Sequence, residues 1–282
     1  MAQVPMRVAD RLVAGIKRFQ PILASAKARD VNESDTVILV TDMLSEIFGY
    51  DKYSEITSEC SIRGTFCDLG IKIGGTFQFL IEVKAIGLEL KHSFTKQAID
   101  YAANQGTEWV ILTNGEIWRA YKVSFGKPID YEQVLELNLP QINPKNADNI
   151  EMLYHLSKEG WLKSVLGEFH MQQQALSRFS LAAMVTSPPV LEVIRRGLRK
   201  FSSDIKINVD QIKNVMVQEV LKREVVEGEK AEEAKKKVGR YYSKSSREKA
   251  KEPKEVLKEA ETEELKPEPV FSTHTEVPHN KI

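Results

Sequence analysis

Three side chains in one short stretch have the types and spacing to do chemistry. Asp68 lies in TFCDLGIKI, and Glu82 and Lys84 lie in FLIEVKA. FLIEVKA otherwise has the make-up of a buried strand. Side chains alternate faces along a strand, so Glu82 and Lys84 leave from the same side. A carboxylate and an ammonium on a core strand cost free energy unless something nearby uses them. The same alternation puts Cys67, Leu69, Ile71 and Ile73 on one face of the preceding segment, and Asp68, Gly70 and Lys72 on the other. Gly74-Gly75 reads as the turn between the two strands, and pairing through it brings Asp68 within reach of Glu82 and Lys84. Glu33, at the start of an expected helix, can approach the same place.

Three carboxylates around one lysine pose an electrostatic problem. Two carboxylates about 4 Å apart repel by roughly 4 kcal/mol at an effective dielectric near 20, and a single Lys84 cannot neutralise three of them. A divalent cation can. Hard oxygen ligands suit Mg²⁺, with Mn²⁺ as a substitute, and Mg²⁺ works with one or two carboxylates plus a substrate phosphate. The chemistry this implies is phosphodiester hydrolysis: the metal polarises the phosphate and lowers the pKa of a bound water, while a lysine orients that water or stabilises the developing charge. The plainer alternatives stay open. Glu82 and Lys84 also read as a solvent-facing pair on a half-exposed strand, and Glu33 as a first-turn carboxylate favoured by the helix dipole.

The spacing of Asp68 from Glu82-x-Lys84 resembles the PD-(D/E)xK nuclease superfamily. More narrowly, the ordered blocks NESDT, CDLGI, FLIEVKA, QAIDYA and WVILTNGEIWRAY resemble the N-terminal nuclease domain of type I restriction enzyme R subunits and related stand-alone restriction proteins, over about residues 30 to 125. The resemblance implies a restriction-endonuclease-like α/β core, a mixed central sheet flanked by helices. It makes Asp68 and Glu82 metal ligands with the Val83 carbonyl a third, Lys84 the catalytic lysine, and Glu33 a direct or water-mediated ligand. Gln97 and Tyr101, spaced four apart on one helix face, would orient Lys84 or contact the DNA backbone. The residue before Asp68 is Cys67 rather than proline, a departure from the family name's own pattern. The sequence has no Gly-x-x-x-x-Gly-Lys-Ser/Thr phosphate loop, so a translocating motor would have to be a separate subunit; a separate methyltransferase subunit is a further partner the resemblance admits.

The elements expected to hold these residues follow from periodicity and punctuation. Val8, Leu12, Ile16 and Phe19 follow helical spacing over about residues 1 to 29. A second helix starts at a cap on Asn32 or Ser34 and stops at Gly49. Two strands, a helix over SFTKQAIDYAANQG, and two further strands about Asn114-Gly115 complete an α/β domain over residues 1–140. Pro140 and Pro144 punctuate a boundary. Residues 145–226 read as helical, apolar on one side, and suited to a homodimer contact, a partner or DNA. Residues 227–282 read as a charged, largely disordered tail whose GEKAEEAKKKVGR part has helical character.

The bulk numbers set limits. The chain has 282 residues, 42% hydrophobic and 28% charged, with zero formal net charge. That is a globular composition without a global basic signal for nucleic acid. Local cations near the cleft, Arg63, Lys72, Lys91, His92 and Lys96, are candidates for phosphate contacts, each also readable as a solvated surface charge; His92 also reads as a general base. Arg195, Arg196, Arg199 and Lys200 cluster on one expected helix. Cys60 and Cys67 are the only cysteines, which fits a reducing compartment and no zinc site. The N-terminus lacks the apolar run of a signal peptide or membrane helix, so the expected location is cytoplasmic. The expected function is a Mg²⁺-dependent restriction-type DNA endonuclease. The alternatives are a non-cleaving DNA-binding or regulatory subunit and an RNA or repair nuclease.

Overall fold

The computed structural model describes residues 3–62, 65–201 and 206–249. The chain divides into two compact units, Met1–Gln172 and a second beginning at Gln173.

The first unit is built on a six-stranded mixed sheet in the order β1 (Ile56–Ile62), β2 (Thr65–Ile73), β3 (Thr76–Val83), β4 (Trp109–Thr113), β5 (Ile117–Ser124) and β6 (Asp130–Asn138). Every neighbouring pair is antiparallel except β3 and β4. Their parallel pairing requires a crossover, which α3 (His92–Gln105) supplies. β4 is a continuous apolar run because both its faces are covered. On one face, α1 (Met6–Ala28) and α2 (Glu33–Glu46) bury Leu12, Ile16, Leu23, Val40, Met43 and Leu44 against Leu69, Phe79, Ile81, Val83 and Trp118. On the other face, Ala98, Ile99 and Ala102 of α3 pack on Leu80, Val110, Leu112 and Tyr121. Cys67 belongs to this second cluster rather than grouping with Leu69 and Ile71, and its thiol reaches the Ile81 carbonyl, 3.2 Å away.

Local chemistry accounts for the element ends. The Asn32 side chain caps α2 by accepting from the Asp35 amide at 2.9 Å. Gly74 and Gly75, at φ 58° and 81°, make the two-residue hairpin between β2 and β3, a turn whose two positive φ values favour glycine. Between β4 and β5 the Asn114 side chain accepts from the Ile117 and Glu116 amides, so that hairpin is a longer loop than a two-residue Asn-Gly turn. TFCDLGIKI forms β2, and β1 precedes it as a further strand not separated in the sequence expectation. β6, absent from the sequence expectation, is an edge strand with only Val134, Leu135 and Leu137 buried, a pattern whose period is blurred by adjacent apolar residues.

The expected boundary at residues 140–147 falls inside the first unit. There α4 (Ala147–Tyr154), α5 (Lys158–Leu162) and the start of α6 (Val165–Ala175) close over the sheet. Trp161 packs on Phe79, the rings tilted with centroids 4.3 Å apart. Tyr50 donates to the Leu156 carbonyl. Arg11 joins Glu159 of α5 to the Ile47 and Phe48 carbonyls at the end of α2.

Among the described residues the second unit is helical: α7 (Arg178–Val185), α8 (Pro188–Phe201), α9 (Val209–Val215) running into a π-turn, α10 (Arg223–Val226) and α11 (Glu229–Lys249). α11 covers the GEKAEEAKKKVGR part of the expected tail, which has the helical character read from sequence, and runs on to Lys249 through a stretch expected to be disordered. Ala231 and Ala234 are buried, so small residues three apart supply the close-packing face that low hydrophobicity concealed. Residues 250–282 lie outside the described residues. No described helix is long and apolar enough to cross a membrane.

Candidate active site

The position of Asp68 depends on a β-bulge. Ile73 pairs with Thr76 and Lys72 with Phe77, but Ile71 pairs with Phe79, so Gln78 is an extra residue on β3. Carried on without that bulge, the first register would set Asp68 opposite Ile81, on the core side of the sheet. A shift of one residue exchanges faces. Leu69 therefore pairs with Ile81, and Asp68, one residue on, leaves on the same face as Glu82. The Gln78 side chain is held by the Trp161 indole, whose Nε1 donates to Oε1 at 3.1 Å. Asp68 is fixed in turn: its Oδ2 accepts from the Val83 amide at 2.7 Å.

Lys84 follows directly after β3, and its amide donates to the Thr113 carbonyl at 2.8 Å, which prolongs the β3–β4 pairing. Its Nζ lies 2.6 Å from Glu82 Oε1 and 3.6 Å from Glu33 Oε2, with the Phe94 ring 5.4 Å away. Glu82 and Lys84 are buried side chains. Glu82 Oε2 is buried without a hydrogen-bond partner among the described residues. The four groups perturb one another. Burial raises the Glu82 carboxyl from 4.5 to about 7, with Asp68 and Glu33 adding to the rise against the pull of Lys84. Burial also raises Asp68, opposed by the Val83 amide and by Lys84. For Lys84, burial acts downward, but the Glu82 hydrogen bond and the surrounding carboxylates override it and leave the ammonium more basic than an ordinary lysine. One firmly held cation thus sits among three carboxylates, two of which resist ionising, Glu82 the more strongly.

Two further residues, which the sequence reading did not assign, join these elements. Thr36, fully buried on α2, accepts from the Ile86 amide at 3.2 Å and donates to the Asn32 carbonyl at 2.8 Å. Asn114, also buried, donates to the Leu88 carbonyl at 2.8 Å. Both hold the loop that follows Lys84, so α2, β3 and the β4–β5 hairpin are registered through it. Asn114 carried a signal, the Asn-Gly pair, that pointed only to a turn. Thr36 carried one only as the last residue of NESDT.

The remaining expected residues with described side chains make other contacts. Gln97 and Tyr101 share an exposed face of α3 and bond to each other, Nε2 to Oη at 3.0 Å; neither bonds to Asp68, Glu82 or Lys84. Lys96 lines a surface hollow with them. His92 bonds to Tyr131 of β6 at 2.8 Å. Lys72 lies over the Phe77 ring, 4.3 Å from its centroid. Lys91 is exposed at the start of α3. Arg63 lies outside the described residues. Val83 is fully buried and acts here through its amide, as the donor to Asp68.

The fold and site together define an α/β protein in which a buried carboxylate–lysine cluster sits where two central strands end. No family model, curated protein or solved structure matches the chain. Among the described residues, no three His, Cys, Asp or Glu side chains form a ready-made metal-binding group. The donor set nevertheless suits a hard cation: the groups are oxygen donors, and the partnerless Glu82 Oε2 is a buried acceptor of the kind such an ion satisfies.

Proposed function

We propose that the first unit is a Mg²⁺-dependent nuclease of the restriction type, with a restriction-endonuclease-like core that hydrolyses DNA phosphodiester bonds. The observation that carries this reading is the convergence of Asp68, Glu82, Lys84 and Glu33, with Glu82 Oε2 buried and unpartnered. Asp68 and Glu82 would hold the metal, with the Val83 carbonyl and Glu33 as further oxygen donors. When bound, the cation supplies Lewis-acid polarisation of the phosphate and a more acidic water. The chain's own groups do the rest. Lys84, fixed by Glu82, presents an ammonium to the charge that develops on phosphate oxygens. Asp68, tethered by the Val83 amide, needs no reorganisation to act as a ligand. Burial of Glu82 and Lys84 strengthens each of these interactions by excluding water.

A second reading has its own supporting observation. Lys84 already neutralises part of the cluster at 2.6 Å from Glu82, as in a charge-satisfied module that binds DNA without cutting. Supercoiled plasmid incubated with the full chain in Mg²⁺ or EDTA separates the two. The nuclease gives metal-dependent nicking, reduced by at least about 10²-fold in Lys84→Ala and Asp68→Asn, with circular dichroism unchanged. Nicking that survives in either variant removes these residues from the mechanism. Plasmid binding without nicking in Mg²⁺ or Mn²⁺ favours the non-cleaving module, and cleavage of RNA alone redirects the substrate.

A further inference from the structure

The second unit carries a charged surface on one of its helices. Helix α8 ends in a basic run, and Arg196, Arg199 and Lys200 are all exposed. Residues three and four apart lie on one helix face, so the three cations form a stripe about 6 Å long at 1.5 Å rise per residue. None of the three has an ion-pair partner among the described residues. Arg195, by contrast, is tied to Glu192 at 2.8 Å. Like charges at this spacing repel, while Arg199 and Lys200 stand in the last turn, where the helix dipole favours cations. On the opposite side of α8, Leu191 is buried and Ile194 partly so, while Leu198 nearer the end is exposed.

We infer that the α8 stripe binds the phosphate backbone of nucleic acid, and so gives the chain a sequence-independent anchor in its second unit. The inference rests on the reading of the protein as one that acts on DNA. Guanidinium groups suit phosphate because their planar donors match its oxygens in pairs, and two of the three cations are arginines. A membrane surface is the rival partner for a basic amphipathic helix, and Phe201, 92% exposed at its end, would serve it. It fits less well, because an interfacial helix must free its apolar face to enter the acyl boundary, and Leu191 is buried within the unit.

The test is binding of a fluorescent duplex oligonucleotide to the full chain in EDTA, where cleavage does not intervene, over a range of salt. Each phosphate contact adds about 0.9 to the slope of log K against log salt. Replacing Arg196, Arg199 and Lys200 together by Gln should therefore flatten the slope by about 2.7. Between 50 and 200 mM salt the parent then loses about 40-fold more affinity than the variant. Glu192→Gln, which frees Arg195, should steepen the slope. An unchanged slope in the triple variant, or a parent that does not bind the duplex, overturns the inference. So does stripe-dependent binding to phosphatidylserine vesicles with none to DNA. The catalytic reading fails separately: a stripe-dependent slope without nicking leaves the anchor standing, and nicking with a stripe-independent slope leaves only the nuclease.

Discussion

Replacing Glu82 by Gln should stabilise the protein in alkaline solution, although it removes a proposed catalytic group. Burial raises the Glu82 carboxyl from 4.5 to about 7, so between those values the folded chain holds a proton that the unfolded chain has released. Stability falls with rising pH wherever the folded state binds more protons. The loss begins above the unfolded value near 4.5 and is complete above about 7. Each tenfold change in proton affinity is about 1.4 kcal/mol, so ionising Glu82 costs the fold about 3 kcal/mol at pH 8. Asp68, also raised by burial, adds a loss of the same sign in the acidic range. Lys84, raised above its ordinary 10.5, contributes stability that is retained throughout this window and lost only at higher pH. Glu82→Gln keeps the shape and an acceptor for Lys84 while removing the titration. Urea unfolding in EDTA from pH 4.5 to 8.5 should therefore show little difference between variant and parent at the acid end. By pH 8 the variant should gain up to about 3 kcal/mol, and added Mg²⁺ should narrow the gap by stabilising the parent alone. A difference that stays flat across this range would refute the account of Glu82 as a carboxylate held under desolvation.

Two other substitutions test how the site is held and closed. Thr36→Val leaves the Ile86 amide without its buried acceptor, and urea denaturation should show a loss of about 1–3 kcal/mol; a neutral result means the loop after Lys84 is not gripped by α2. Gly160→Ala places a Cβ against the Tyr154 carbonyl oxygen, which is backbone and cannot swing away. It should lower the thermal midpoint by the equivalent of about 1–3 kcal/mol, and an unchanged midpoint would show that α5 relaxes without cost.

Much of the local structure was legible because it follows from short-range chemistry. Asn32 as a cap, the glycine pair as a hairpin, and the amphipathic first helix each depend on neighbours in the chain. Glu82 and Lys84 on one side of β3 follow from the two-residue period of a strand alone. The breaks that divide α4, α5 and α6 were harder to read, because they turn on Ser157 as a cap and Ser164 at φ 57°, within a stretch whose apolar spacing fits one continuous helix. β6 was missed for a related reason. It is held by a few buried side chains on a partner strand, a property of packing rather than of composition.

The candidate site divides along the same line. By itself the sequence determined which groups are present, that two of them share a face, and that three carboxylates exceed the charge of one lysine. The tertiary structure decided that Asp68 joins them, because the two-glycine turn alone would have turned it toward the core and only the extra residue at Gln78 shifts the register. It also decided that Gln97, Tyr101 and His92 bond elsewhere, and that Glu82 is buried deeply enough for its ionisation to oppose folding. Register and burial are set by contacts between segments distant in the chain, so no spacing read along the sequence could have supplied them.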